Sequence, residues 1–189
     1  MHAELSAAQF VSLTEGTPLL SFKNNISQDM EEKEQPTGGP HFVGKRDELV
    51  QAKRSFRTLE GRDILIIHHG GVFYAMDSYC YHAGGELQNG DIEEFDGKLC
   101  IICPNHKYKI CLAQGESIYK STNPKEKPPV PRWYSKGVKQ RTHTVTENND
   151  GDVYVKLSDV AGWIESDYFQ GEKGKIEREK AAAAEKKKS

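Results

Sequence analysis

The chain has 189 residues, of which 36% are hydrophobic and 29% are charged, a composition that fits one domain with polar extensions. The formal net charge is −2, and the chain between residues 40 and 172 is close to neutral as a whole while residues 172–189 are basic, so a nucleic-acid partner is not expected. The longest aliphatic run covers residues 64–67, far short of the about 20 apolar residues of a spanning helix, so no membrane partner is expected.

Residues 1–40 are predicted to be a disordered extension. They carry six acidic residues and two lysines, and they end in a Pro- and Gly-rich stretch where no regular element can continue. This segment shows neither the apolar stretch of a secretory signal nor the Arg-rich, acid-poor pattern of a mitochondrial presequence. We therefore expect a cytoplasmic protein, in which cysteines are more often metal ligands or spectators than disulfide partners.

From residue 41 the pattern changes to short strands separated by turn signals. Six apolar segments are predicted strands: residues 62–68, 72–76, 98–102, 108–112, 142–146 and 153–157. The first two flank a Gly-Gly pair and the last two flank the turn at residues 148–151, so each pair is a predicted hairpin. This spacing of short strands predicts an all-β fold, an antiparallel sandwich or barrel.

Two further segments have distinctive compositions. Residues 123–131 include four prolines and are predicted to form a stiff, extended loop. Residues 161–189 are predicted to be a partly helical C-terminal extension. Within it, residues 173–188 hold strong helix formers but little apolar face, which predicts a frayed, exposed helix.

The residues that carry chemistry lie in two short segments. The first contains Cys80 and His82, and the second contains Cys103 and His106. Each segment offers one thiolate and one imidazole at short spacing, next to a predicted strand. Two such loops, if they face each other, could hold a small inorganic group from opposite sides.

The pattern Cys-x-His followed by Cys-x-x-His resembles the ligand motif of the Rieske family. The glycines after His82, the proline after Cys103 and residues 110–116 also match the family's flanking sequence. The resemblance covers residues 41–160, and the chain is most similar to the small animal Rieske-domain-containing proteins.

This resemblance implies a Rieske-type antiparallel β-sandwich or barrel with a small cluster-binding subdomain, a flexible N-terminus and a C-terminal helical tail. It implies one [2Fe–2S] cluster, in which Cys80 and Cys103 hold the inner iron and His82 and His106 hold the outer iron. It also implies that the proline-rich loop packs against the cluster.

A zinc site is the main alternative for the metal. Cys100 and Cys103 form a Cys-x-x-Cys pair, which a histidine could complete. However, Cys100 lies in a predicted apolar strand, where positions 100 and 103 point to opposite faces. We therefore expect Cys100 and Cys111 to be buried residues without a ligand role. Structural roles are also expected for four other histidines, His41, His68, His69 and His143.

The resemblance implies a soluble, ferredoxin-like, monomeric carrier of single electrons. The chain is too short to include an oxygenase domain with its mononuclear iron, so it is not expected to be an enzyme on its own. The expected partners are redox proteins, with a flavin reductase as donor and an oxygenase among the acceptors. An alternative from another class is an iron–sulfur sensor or binding module whose cluster is structural.

The resemblance also predicts a low reduction potential. High-potential members brace their two loops with a disulfide, whose cysteines would fall at Gly85 and Asn105, and they place a serine where Tyr108 stands here. Fewer donors to sulfur leave the charge of the reduced cluster less stabilised.

Overall fold

The structure is a computed structural model that describes residues 38–186. The predicted disordered extension, residues 1–40, therefore lies almost wholly outside the described residues. The described part is mainly antiparallel β-structure, which confirms the predicted fold class. Its elements are β1 (Pro40–Lys45), α1 (Arg46–Ala52), β2 (Arg54–Leu59), β3 (Arg62–His69), β4 (Val72–Asp77), β5 (Asp91–Phe95), β6 (Lys98–Ile102), β7 (Lys109–Cys111), β8 (Glu116–Thr122), β9 (Pro131–Val138), β10 (Thr142–Glu147), β11 (Asp152–Lys156) and α2 (Glu172–Lys186), with 3₁₀ helices at Leu87–Asn89 and Glu165–Gln170. No helix in this range is long and apolar enough to cross a membrane.

The larger sheet has six strands in the order β1-β11-β10-β4-β3-β2. Its strand β3 is buried on both faces. Ile64 and Ile66 pack into one hydrophobic cluster, whereas Leu65 and Ile67 pack into a second cluster that includes Cys80. Because side chains alternate between the faces of a strand, β3 connects the two cores and supports the loop that follows β4.

The smaller sheet has five strands in the order β5-β6-β7-β8-β9. β7 has three residues and pairs with β8 only at Lys109–Ile118 and Ile110–Ser117. The remainder of the β8–β9 hairpin therefore extends beyond β7 as a two-stranded ribbon. The prolines of residues 123–131 lie at the tip of this ribbon and are exposed. The expectation that the proline-rich loop packs against the cluster stays a prediction.

The C-terminal helix α2 is exposed along most of its length, as the sequence predicts, but it is not free of the domain. Gly174 approaches the preceding 3₁₀ helix so closely that a Cβ there would lie 2.2 Å from the carbonyl oxygen of Tyr168. Arg178 lies over the ring of Tyr79, with its guanidinium carbon 3.3 Å from the ring centroid. These contacts attach the helix beside the first candidate ligand loop.

Candidate metal centre

Two loops with the same hydrogen-bond pattern carry the predicted ligands. In the first, the N–H of Cys80 donates to the Gly85 carbonyl (2.8 Å), and the N–H of Gly84 donates to the Cys80 carbonyl (2.9 Å). In the second, the corresponding bonds join Cys103 to Tyr108 and Lys107 to Cys103, both at 2.9 Å. The repeated pattern shows that each cysteine begins a tight loop of six residues.

The residue four positions after each cysteine has a positive φ, 66° at Gly84 and 57° at Lys107. Glycine adopts this conformation without steric cost, whereas the lysine is strained. The left-handed residue reverses the chain at the same point in both loops. Each loop can therefore present a sulfur atom and an imidazole on the same side of the molecule.

The loops bring the two cysteines together in the core. Cys80 and Cys103 are both buried and belong to the same hydrophobic cluster. The interaction between the two thiols lowers the pKa of Cys103 and raises the pKa of Cys80, and burial adds to the increase at Cys80. Backbone N–H groups stabilise each sulfur anion: His82 and Ala83 at Cys80, and Asn105 and His106 at Cys103.

The two histidines meet at the surface. The rings of His82 and His106 have centroids 4.8 Å apart, and both residues are exposed. Partial burial of the His82 ring lowers its pKa, and the neighbouring His106 and Lys136 lower it further. A lowered pKa favours the neutral imidazole, which is the form that binds metals.

The predicted ligands therefore converge as two pairs, buried sulfurs inside and exposed imidazoles outside. Within residues 38–186, no group of three or more His, Cys, Asp or Glu side chains is arranged to hold one metal ion. A two-iron cluster of mixed ligation requires two protein ligands on each iron: a pair of thiolates on one iron and a pair of imidazoles on the other. The donor types, their pairing and the N–H groups at the sulfurs fit such a cluster.

Comparison with known proteins identifies the family. The family profile described as soluble Rieske-type ferredoxin matches residues 41–160. The chain belongs to this family. Membership implies an iron–sulfur cluster and a role in electron transfer.

One relative of known sequence supports this assignment directly. A Rieske domain-containing protein of Homo sapiens is 49% identical over 127 residues, which are 67% of this chain and 80% of that protein. The 3-phenylpropionate/cinnamic acid dioxygenase ferredoxin subunit of Photorhabdus laumondii is 28% identical over 98 residues, 51% of this chain and 75% of the subunit. Among solved structures, the ferredoxin of carbazole 1,9a-dioxygenase from Nocardioides aromaticivorans is 18% identical, with a TM-score of 0.46, covering 63% of this chain and 98% of that chain.

The other two cysteines of this Rieske-type chain lie apart from the loops. Cys100 and Cys111 face each other across β6 and β7, with Sγ atoms 3.3 Å apart. They pack with Ile118 in a hydrophobic cluster separate from that of Cys103. Cys100 and Cys103 therefore do not turn towards a common point, as the alternative zinc site would require.

His143 has the structural role expected from the sequence. Its Nδ1 accepts a hydrogen bond from the N–H of Ser158 (3.1 Å), so the ring proton lies on Nε2, which donates to Asp77 (3.2 Å). His41 contacts Glu60 through Nε2 at 3.0 Å. Neither ring is directed to the ligand loops.

Gln140 is a positioning residue that the sequence did not reveal. Its side-chain amide donates to the carbonyls of Asp77 (2.9 Å) and Tyr79 (2.8 Å), and its oxygen accepts from the N–H of Tyr81 (3.0 Å). The residue is fully buried. One side chain therefore holds the backbone on both sides of Cys80.

A network of ion pairs and hydrogen bonds surrounds Asp77, whose backbone carbonyl Gln140 contacts. The buried carboxylate of Asp77 accepts two hydrogen bonds from Arg62, at 2.6 and 2.7 Å, and one from the Ser166 hydroxyl at 2.5 Å. Asp167 accepts from both Arg62 and Arg141. The network joins the end of β4, just before the first loop, to the C-terminal segment. These residues are too far apart in the chain for any local pattern to reveal the network.

Proposed function

We propose that the chain holds one [2Fe–2S] cluster through Cys80, Cys103, His82 and His106, and that it works as a carrier of single electrons. The observation that carries this proposal is the separation of the four side chains into a buried sulfur pair and an exposed imidazole pair. The sulfurs would hold the inner iron and the imidazoles the outer iron. The family assignment supports the cluster, and the pairing supports the identity of its ligands.

The bound cluster would supply reversible uptake of one electron by its iron atoms. The chain's own residues decide where that electron enters and leaves. Cys80 and Cys103 lie in the core, where surrounding side chains exclude water, whereas the edges of His82 and His106 reach solvent. Electrons are therefore expected to pass through the imidazole edge, the shortest route between a partner and the cluster.

We expect the potential to lie at the low end of the Rieske range. Gly85 and Asn105 face each other, since a Cβ on Gly85 would lie 3.1 Å from the Asn105 side chain. The loops meet there without a covalent brace. The hydroxyl groups of Tyr81 and Ser117 share a hydrogen bond of 2.7 Å, so the Tyr81 hydroxyl has a partner other than the sulfurs. Stabilisation of the reduced state is left mainly to the backbone N–H groups.

The partners we propose are a flavin reductase as donor and an oxygenase as acceptor. The similarity to a dioxygenase ferredoxin subunit supports an oxygenase as the acceptor. The monomeric state and the cytoplasmic location stay predictions.

The direct test is anaerobic purification of the full chain, followed by iron and sulfide analysis and a redox titration. We expect two irons and two sulfides per chain and reversible one-electron reduction with a midpoint below about +100 mV, within the Rieske range of about −150 to +300 mV. Replacing His106 with alanine should remove or remodel the cluster spectrum, whereas Cys111→Ala should leave it unchanged. Colourless protein with stoichiometric zinc would contradict the proposal, and a cluster that takes up no electron would favour the structural alternative.

A further inference from the structure

The surface beside the exposed imidazoles has an unusual charge. Residues 103–138, from the second loop to the end of β9, contain seven basic residues and two acidic ones, in a chain whose net charge is −2. Both acids are already paired, Glu116 with Lys98 and Glu126 with Arg132. The basic excess of this segment is therefore not neutralised within the segment.

Two of its lysines stand beside the second ligand loop and form what we call the lysine face: Lys107 and Lys136. Neither of them makes an ion pair with another residue in the described range. Lys136 lies over the ring of Tyr108 (4.5 Å), a contact that holds the ammonium group in place but leaves its charge available to an approaching molecule. Lys109 and Lys120 lie over Phe95 (5.2 Å) and Trp133 (5.6 Å) on the other face of the smaller sheet, since side chains alternate between the faces of a strand.

The lysine face adjoins the candidate electron exit. The ring of Tyr108, which carries Lys136 on one side, has its centroid 4.3 Å from that of His82. Lys107 follows His106 directly in the second loop and is exposed.

Aromatic side chains stand within this positive surface. Tyr119 and Tyr134 stack across β8 and β9 with centroids 5.7 Å apart, and they are 41% and 38% exposed. Lys136 also lies 5.6 Å from the ring centroid of Tyr119. Tyrosine is enriched in the cores of protein interfaces, while rim charges steer the encounter. The ribbon presents both kinds of group.

The geometry points to a docking surface for an acidic redox protein, formed by the lysine face with Tyr119 and Tyr134 and placed beside the imidazole pair. The inference rests on the proposed function, because it assumes that electrons leave through His82 and His106. Carboxylates on the partner would meet the lysines, and an apolar patch would cover the stacked tyrosines. Docking there would bring the partner's redox centre next to the imidazole edge.

A cavity that His82 also lines carries a different charge. Its other lining residues include Trp163, Glu165, Tyr168 and Glu177. Glu165 is neutralised by Lys139, and Glu177 accepts a hydrogen bond from Tyr168 at 2.7 Å. This cavity therefore presents two carboxylates where the β8–β9 side presents lysines without an ion pair, so an acidic partner is expected to dock on the β8–β9 side.

The test compares two soluble haem proteins of opposite charge as electron acceptors, acidic cytochrome b5 and basic cytochrome c. The reduced full-length protein is mixed with each in stopped flow, in the wild type and in Lys136→Glu. We expect the variant to slow reduction of cytochrome b5 by about tenfold at low ionic strength, and not to slow that of cytochrome c. The difference should vanish near 1 M salt, where the screening length is about 3 Å.

Lys53→Glu is the matched control, because it makes the same charge change at an exposed residue before β2, outside the smaller sheet. Equal rates in Lys136→Glu, Lys53→Glu and the wild type would overturn the docking surface while leaving the carrier function intact. Absence of the cluster spectrum, with no electron transfer to either acceptor, would instead contradict the proposed function. Full-length protein with Asp29, Glu31 and Glu32 changed to amides provides a last comparison. A large gain in the rate with cytochrome b5 would mean that the chain's own acidic segment occupies the lysine face, which also overturns the proposal.

Discussion

Gln140 is the residue whose replacement tests most clearly how the domain holds its first ligand loop. Gln140→Leu keeps nearly the same shape but removes all three hydrogen bonds to the backbone around Cys80. The carbonyls of Asp77 and Tyr79 and the N–H of Tyr81 would then lose their side-chain partner. Because the site is fully buried, water cannot readily replace these bonds without opening the structure.

The expected cost follows from the number of bonds. At a net 0.5–1.5 kcal/mol for each, three hydrogen bonds correspond to a loss of about 2–4 kcal/mol in the free energy of unfolding. For a chain of this size that corresponds to a fall in Tm of about 5–15 °C. Thermal unfolding followed by circular dichroism gives the stability, and visible absorbance gives the rate at which the cluster is lost. Both should change, since the bonds hold the loop and not only the fold.

Gln114→Leu is the matched control, because Gln114 lies exposed in the turn between β7 and β8. We expect it to retain the Tm and the cluster of the wild type. If Gln140→Leu has the same Tm as Gln114→Leu and loses its cluster at the same rate, the three hydrogen bonds have no part in holding the loop.

Two further substitutions probe the network and the C-terminal contact. Asp77→Asn leaves the buried side of Arg62 without its carboxylate, and breaking such a pair is expected to cost about 3–5 kcal/mol. Burial raises the pKa of Asp77, but its hydrogen bonds outweigh burial and lower it. The stability that this carboxylate contributes is therefore complete above about pH 4 and lost as the pH falls further, so wild type and variant should converge in acid. Gly84→Ala combines a φ of 66° with a Cβ placed 2.7 Å from Arg178 and 2.8 Å from Phe169, so strain and overpacking are expected to cost about 2–5 kcal/mol and to loosen α2 from the loop.

Each of these substitutions has a control of the same chemistry. Asp159→Asn removes a carboxylate from an exposed ion pair and should leave the urea unfolding curve unchanged. Gly61→Ala has a similar positive φ, 75°, but open space around it, so it isolates the backbone strain. If Asp77→Asn unfolds like Asp159→Asn, or if proteolysis of α2 proceeds equally in Gly84→Ala and Gly61→Ala, the corresponding contact does not carry the stability assigned to it.

The strands that could be predicted from the sequence are those that consist mainly of apolar residues. The predicted strand at residues 98–102 coincides with β6, and both predicted hairpins form. β5 and β9 were missed because their residues are mostly polar or exposed. Such edge strands depend on pairing with a neighbour distant in sequence, and strand propensity alone does not show it.

The candidate site also has a part that the sequence predicted and a part that it did not. The motif and the family resemblance led to Cys80, His82, Cys103 and His106, and the structure brings them together in pairs. The contribution of Gln140 could not be predicted, because an isolated glutamine after a polar strand has no local signature. The attachment of α2 was missed for a related reason, since the helix has little apolar face and is held by the close approach of Gly174 and by Arg178 over an aromatic ring.

The claim that two sulfurs and two imidazoles share one diiron cluster is tested most directly by pulsed electron paramagnetic resonance of the reduced protein. Samples would carry histidine labelled with ¹⁵N. We predict strong coupling to two histidine nitrogens, kept in Cys111→Ala and altered in His82→Ala and in His106→Ala. A reduced two-iron signal without strongly coupled nitrogen would contradict the ligand assignment.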